Sequence, residues 1–307
     1  MTLRPLLRTA TTLAAATAIG LFSLLTANAA EIVVKHAQGE TVLADTPAKI
    51  VTFDYAALDT LDALGVDILG LPGTNLPEYL GKYADEKYLK LGSIFEPDYE
   101  AVAAAAPDLI IVAGRSSAAY GELSKIAPTI DLSNDWAKFE DSIKANSKIL
   151  GEIVGKSAEI DAMIATLDAK TAAVKAKAAT AGKGLIVLTS GTEVTAYGTG
   201  SRFGWIHESL GVPPAIEDVT AATHGDAISF EFILETNPDW LYVIDRDAAT
   251  GEGAAKAILD NELVAQTNAW KNNQVVYIDP IRSYIVNGGL PAFTALVDQV
   301  AGALGVE

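Results

Sequence analysis

Hydrophobic positions along this chain fall into two kinds of run, and the two alternate. Short apolar stretches such as Lys49–Phe53, Leu109–Val112, Leu185–Leu188, Trp240–Ile244 and Val275–Ile278 have the length and β-branched content of buried strands. Between them lie segments with helical character: Leu58–Leu64, Tyr99–Ala106, Gly121–Ile126, Ser229–Glu235 and a final stretch Pro291–Ala303. Val66–Leu69, Thr129–Leu132 and Val194–Ala196 are further extended segments. This alternation predicts α/β lobes with largely parallel sheets. One region breaks the rhythm. Lys138–Ile153 is helical, and from Glu152 to Thr180 the only breaker is Gly155, with Ile153, Ile160, Ile164, Leu167 and Val174 on one helical face. As a single helix it would span about 40 Å, the size of a lobe. Its many Lys, Asp and Glu residues argue against burial inside one domain. The pattern therefore predicts two lobes, 30–151 and 181–307, joined by one long backbone helix over 152–180.

Each lobe carries the same spacing. Glu-x6-Pro-Asp-x6-Arg runs from Glu100 through Pro107-Asp108 to Arg115, and again from Glu231 through Pro238-Asp239 to Arg246. In both copies an apolar run follows the aspartate, so each arginine falls just past the C-terminal end of a strand. Pro-Asp before a strand is common by itself. Four residue types in register read as a duplication. Ligands of open α/β sheets bind outside the carboxyl ends of the strands, so the two halves each offer one arginine to a common cleft.

The N-terminus sets the compartment. Arg4 and Arg8 precede an apolar stretch, Leu13 to Leu25, and then Ala27-Asn28-Ala29, the order of a cleaved secretory signal peptide over 1–29. The chain contains no cysteine, which excludes a lipidated N-terminal cysteine, disulfides, thiolate metal sites and a cysteine nucleophile. The formal net charge is −17, and loss of a basic leader makes it more negative. That argues against nucleic acid and anionic membrane surfaces as partners, although a cleft can be locally positive on an acidic protein.

Few residues stand out for chemistry. Arg202 lies in the turn Tyr197-Gly-Thr-Gly-Ser-Arg-Phe-Gly204, whose glycine spacing is neither the dinucleotide fingerprint nor a Walker loop. An arginine and backbone amides before a helix suit an anion; a structural turn with a solvated arginine explains the motif equally well. The three histidines are His36, His207 and His224, without the spacing of a zinc site. His224 stands in a loop, where a histidine is more often surface than ligand. Tyr284 follows the strand Val275–Ile278 and so also falls near a strand's C-terminal end, although packing is the commoner role for such a tyrosine. No nucleophile elbow is present, which makes an enzyme the weaker class.

Taken together, Lys49-Ile-Val-Thr-Phe-Asp54, the Glu-x6-Pro-Asp repeats, the Tyr197–Gly204 turn, His224-Gly-Asp-Ala-Ile-Ser-Phe-Glu231, Val243-Ile-Asp-Arg246 and Asp279-Pro280…Tyr284…Gly288-Gly289 resemble the periplasmic ferric-siderophore-binding proteins of ABC importers. The resemblance is to the branch that binds iron–catecholate complexes, and it covers nearly all of the chain after the leader. It implies a class III periplasmic binding protein: two α/β lobes on one backbone helix, acting as a monomer with no intrinsic cofactor and an Fe(III)–siderophore as cargo. It assigns Arg115, Arg202 and Arg246 to a positive floor under the catecholate oxygens. His224 and Tyr284 would coordinate the iron where the chelator leaves sites open. Glu100 and Glu231 would salt-bridge to arginines of the inner-membrane permease. The sequence departs from the family at Ile281-Arg282-Ser283, where more apolar or aromatic character is expected. Arg282 either adds charge to the site or points away.

The chemistry is consistent with that implication. Arginine offers forked, permanently charged donors to anionic oxygens, and a tyrosine on Fe(III) would be a phenolate. The competing readings keep the fold with a hydroxamate siderophore, haem or corrinoid as ligand, or change the class to a periplasmic hydrolase of an acidic small molecule or an adhesion or scaffold protein. Which siderophore is carried, its denticity and its stereochemistry are not encoded in these motifs.

Overall fold

The computed structural model describes residues 1, 2, 31–217, 219, 225–251 and 253–306. The leader segment, its cleavage site and His224 lie outside the described residues. Ile32–His36 (β1) and Gly39–Leu43 (β2) form an antiparallel hairpin that the hydrophobic pattern does not announce. The N-lobe sheet follows, built from Ile50–Thr52 (β3), Gly70–Leu71 (β4), Leu89–Lys90 (β5), Leu109–Val112 (β6) and Thr129–Asp131 (β7). Its order is β5-β4-β3-β6-β7, and every pairing is parallel. The C-lobe sheet contains Gly184–Ser190 (β8), Glu193–Tyr197 (β9), Asp226–Ile228 (β10), Trp240–Asp245 (β11) and Val275–Ile278 (β12), in the order β10-β9-β8-β11-β12. Here β8, β11 and β12 are parallel, whereas β9 and β10 are antiparallel at one edge. A two-residue Gly191-Thr192 connection makes β8 and β9 a hairpin, which cannot be parallel.

The repeated Pro-Asp has a shared physical task. Asp108 accepts the Lys49 amide on Oδ2 at 2.9 Å and donates its own amide to the Lys49 carbonyl at 2.9 Å. Asp239 does the same with Lys183, again at 2.9 Å for both bonds. Each aspartate thus fixes the start of one strand against its neighbour, setting the registers Ile50↔Leu109 and Trp240↔Gly184. The helices before them, Tyr99–Ala105 and Phe230–Thr236, are capped by Asp98 and Ser229 side chains. Both end in a left-handed residue, Ala106 or Asn237. The two lobes therefore share one local frame.

The connecting helix runs over Ser157–Ala178, about 33 Å, and is shorter than the expected 152–180. Glu152 and Ile153 belong to the preceding helix Phe139–Ile153. Gly155, at φ 68°, separates the two because a left-handed residue cannot continue an α-helix. The predicted apolar stripe is buried: Ile153, Ile160, Ile164, Leu167 and Val174 are all at most 8% exposed. Ile160, Ile164, Leu167 and Val174 pack with Phe293, Leu296 and Val300 of the C-terminal helix Leu290–Leu304 and with Ile186, Trp240 and Tyr242 of the C-lobe sheet in one core, whereas Ile153 joins the N-lobe core.

The lobes are also fastened where the helix Tyr55–Ala63 meets that C-terminal helix. Asp59, buried at 3% exposure, accepts the Ala292 amide at 2.9 Å and the Tyr79 hydroxyl at 3.0 Å. Thr60 Oγ1 accepts the Leu290 amide at 3.2 Å. An N-lobe aspartate thereby caps a C-lobe helix. Burial raises the Asp59 pKa to about 6, against the opposing pull of these two donors and of Arg282. A raised carboxyl favours the folded state while protonated; that contribution is full below the ordinary value near 3.8 and is lost as pH rises through about 6. Asp59→Ala is expected to cost about 1–3 kcal/mol by stranding two donors. Asp59→Asn should gain on the wild type as pH rises from 4 to 7 in urea melts, because the variant never ionises. A pH-independent difference would remove the burial effect.

Candidate functional site

Arg115 leaves the end of β6 on a loop tied to its neighbours. Ser116 Oγ donates to the Phe53 carbonyl beyond β3 at 3.2 Å, and the Gly114 amide donates to Ser133 Oγ beyond β7 at 2.8 Å. The side chain crosses the cleft. Its Nη2 donates to the Tyr284 carbonyl at 2.6 Å and its Nη1 to the Ile285 carbonyl at 3.1 Å. Tyr284 sits in a π-helical turn, Ile281–Val286, and two guanidinium groups approach its ring. Arg115 is 5.5 Å and Arg202 4.6 Å from the ring centroid.

Arg202 comes from the glycine turn. Gly204 is needed there because a Cβ would stand 2.8 Å from the Gly198 carbonyl oxygen. The helix that follows is only Trp205–Glu208, and the Gly200 amide is already donated to Glu208 Oε1 at 2.7 Å. The expected anion cradle of amides is thus replaced by an internal bond, and the arginine alone carries the positive charge. Arg202 is 9% exposed. It reaches the Tyr284 carbonyl at 3.4 Å, and with the Asn287 amide turned to face it, the Asn287 oxygen at 3.2 Å. Its Nε is buried without a partner among the described residues. Burial lowers both guanidinium groups from their usual value, and Arg115 lowers Arg202 further; both remain cationic at neutral pH.

The cleft has two chambers. The first, about 290 Å³, is walled by Phe53, Asp54, Tyr55, Arg115, Trp136 and Asn287 among others. The second, about 320 Å³, lies between Ser190, Tyr197, Arg246 and Tyr284. Arg202 lines both. Arg246 is exposed and donates to Ser190 Oγ at 3.0 Å. All three predicted arginines and Tyr284 therefore reach one cleft, unequally buried.

Arg282 points away: it pairs with Asp279 and covers the Tyr79 ring at 4.5 Å. Glu100 and Glu231 line neither chamber. They sit exposed in the first turns of the equivalent helices Tyr99–Ala105 and Phe230–Thr236. His207 is buried and bonded to the Val212 carbonyl at 2.8 Å, and His36 faces Thr41 Oγ1 at 2.9 Å. Among the described residues no group of three or more His, Cys, Asp or Glu forms a metal site, and no helix is long and apolar enough to cross a membrane. Asp54, Asn134, Trp136 and Asn287 are wall residues that the motifs do not single out. Asp54 and Asn134 lie just beyond the C-terminal ends of β3 and β7, so the strand-end rule itself points to them.

Fold and cleft define a two-lobed solute receptor. The chain belongs to the periplasmic binding protein family, whose model matches residues 50–281, and it is a solute-binding protein rather than an enzyme. It is 42% identical over 280 residues to the petrobactin-binding protein YclQ of Bacillus subtilis, covering 89% of this chain and 88% of that protein. The crystal structure of YclQ superposes with a TM-score of 0.87, covering 91% of this chain and all of that one. The ferric-anguibactin-binding protein FatB of Vibrio anguillarum is 36% identical, over 88% of this chain and 86% of its own length. The catecholate-siderophore-binding protein VctP of Vibrio cholerae is 32% identical, with a TM-score of 0.85, over 89% of this chain and all of that one.

Proposed function

We propose that this chain captures an anionic Fe(III)–catecholate siderophore between its lobes and delivers it to the permease of an ABC importer. The observation that carries the reading is the convergence of Arg115 and Arg202 on Tyr284 in mid-cleft. The buried Arg202 and the half-buried Arg115 act on each other and repel, and an anionic ligand relieves that cost. The similar proteins bind petrobactin, ferric anguibactin and catecholate siderophores, which supports the ligand class. The iron complex is cargo, and the protein needs no resident cofactor. It works outside the cytoplasm, after removal of residues 1–29, as a monomer with lobes 30–151 and 181–307 on the connecting segment 152–180. Arg115, Arg202 and Arg246 hold the catecholate oxygens, and Glu100 and Glu231 meet the permease. Native mass spectrometry with ferric bis-catecholate, ferric tris-catecholate, ferric hydroxamate and haem should show retention of the catecholates. Preferential retention of the hydroxamate or haem would overturn the assignment.

Tyr284 supplies a further test. A tetradentate bis-catecholate leaves two of six iron positions open, to be filled by Tyr284 and His224. Tyr284→Phe is expected to weaken that complex about tenfold, near 1.4 kcal/mol, and to remove a phenolate contribution from its charge-transfer band. A hexadentate tris-catecholate should be affected much less. Equal losses for both, with an unchanged band, would reduce Tyr284 to a wall contact.

A further inference from the structure

The two halves of the cleft differ in charge at one pair of matching positions. Lys49 and Lys183 occupy matching places in the lobes, because each brackets the Pro-Asp aspartate of its neighbouring strand. Counting forward from them, Asp54 and Leu188 are equivalent positions, and both line the cleft, Asp54 in the first chamber and Leu188 in the second. At this matched pair the N-lobe chamber holds a carboxylate where the C-lobe chamber holds a leucine; the second chamber's own carboxylate, Glu193, is exposed on β9. Helix capping accounts for one side of this group: Asp54 Oδ2 accepts the Ala57 amide at 2.8 Å. Capping alone does not require a charge, since Asn and Ser cap as well.

Among the described residues no cation comes within ion-pair distance of Asp54. Arg115, the cation that acts on it, directs its two terminal nitrogens to the carbonyls of Tyr284 and Ile285. The other charge facing it is Asp131, on β7, whose carboxylate is held by Ser133 and Gln38. The remaining walls are largely apolar, with Phe53, Tyr55, Ile94, Trp136 and Val286 around it. A chelate that was anionic on all sides would pay a penalty to sit against this carboxylate. A ligand with a cation on that side would not.

We propose that Asp54 recognises a protonated amine in the linker of the chelator, so that the cargo is a ferric catecholate with anionic iron-binding oxygens and a cationic backbone. The arginines take the oxygens and Asp54 takes the ammonium. The partly exposed Trp136 ring in the same wall suits the methylenes and the charge of such a linker. This inference rests on the catecholate reading above and names the kind of catecholate.

The test uses the ferric complexes of two synthetic tetradentate bis-catecholates that differ only in the linker, one with a secondary amine and one with an ether oxygen. Quenching of tryptophan fluorescence gives both affinities for the full-length mature protein. The wild type should prefer the amine complex by about tenfold or more at pH 7.4. Asp54→Asn and Asp54→Ser keep a competent cap and should abolish that preference, binding the ether complex as well as or better than the wild type. The preference should also fade as pH drops below about 6, where burial has raised the Asp54 carboxyl and the acid form dominates while the amine stays charged. Equal affinities for the two complexes in the wild type, or a preference that survives in both variants, overturn the assignment of Asp54. If neither complex binds the wild type at all, the catecholate reading itself fails.

Discussion

Replacing Arg202 with alanine should weaken binding of a ferric catecholate by about 1.5–3 kcal/mol, the range for hydrogen bonds to charged groups, or roughly ten- to hundredfold. The geometry ranks the three arginines. Arg202 is 9% exposed and keeps a buried Nε without a partner, so a ligand oxygen adds a bond and costs few existing ones. Arg115 must give up carbonyl bonds at 2.6 and 3.1 Å, so its net contribution is smaller than its position suggests. Arg246 is exposed and bonded to Ser190; solvent screens it, and Arg246→Ala should lose least and show the strongest salt dependence. Fluorescence titrations of the three variants at low and high salt give the order. An Arg246→Ala loss equal to that of Arg202→Ala would contradict it.

Uptake should disappear in Glu100→Arg and in Glu231→Arg while ferric-ligand affinity stays at the wild-type value. Both glutamates are exposed, lie outside the chambers and occupy matching positions at the start of matching helices. A surface that presents one acid per lobe fits a two-fold partner with basic sites, and charge reversal there opposes docking by like-charge contact. Growth under iron restriction with the variant as the cell's only copy measures uptake, and titration of the purified variant measures affinity. A parallel loss of affinity would move these residues into the cleft or the core.

The strands that carry the arginines are legible because their signal is local. An apolar run after Pro-Asp is bounded on both sides, and β6 and β11 begin and end near the expected residues. Extended segments without such boundaries are displaced or missed. β4 is Gly70–Leu71 instead of Val66–Leu69, and β5, with both residues exposed, shows no alternation to detect. Strands this short are defined by their neighbours' hydrogen bonds rather than by their own composition.

The sequence by itself determined the two α/β lobes, the buried face of the connecting helix, the duplication and the two arginines, Arg115 and Arg246, at strand ends. Each follows from periodicity or spacing within a few turns of chain. Only the tertiary structure decided what those residues meet. The Arg115 guanidinium bonds to carbonyls 169 and 170 positions away, and the capping of Ala292 by Asp59 spans 233. No local pattern encodes such pairings, because they exist only once both lobes are folded on the same helix. The direction of Arg282 is likewise a tertiary outcome, set by Asp279 and the Tyr79 ring. Asp54 shows the limit most clearly: in the sequence it only closes the run Lys49–Asp54, whereas the fold makes it a helix cap and, with the second lobe packed against the first, the acidic wall of a cationic cleft.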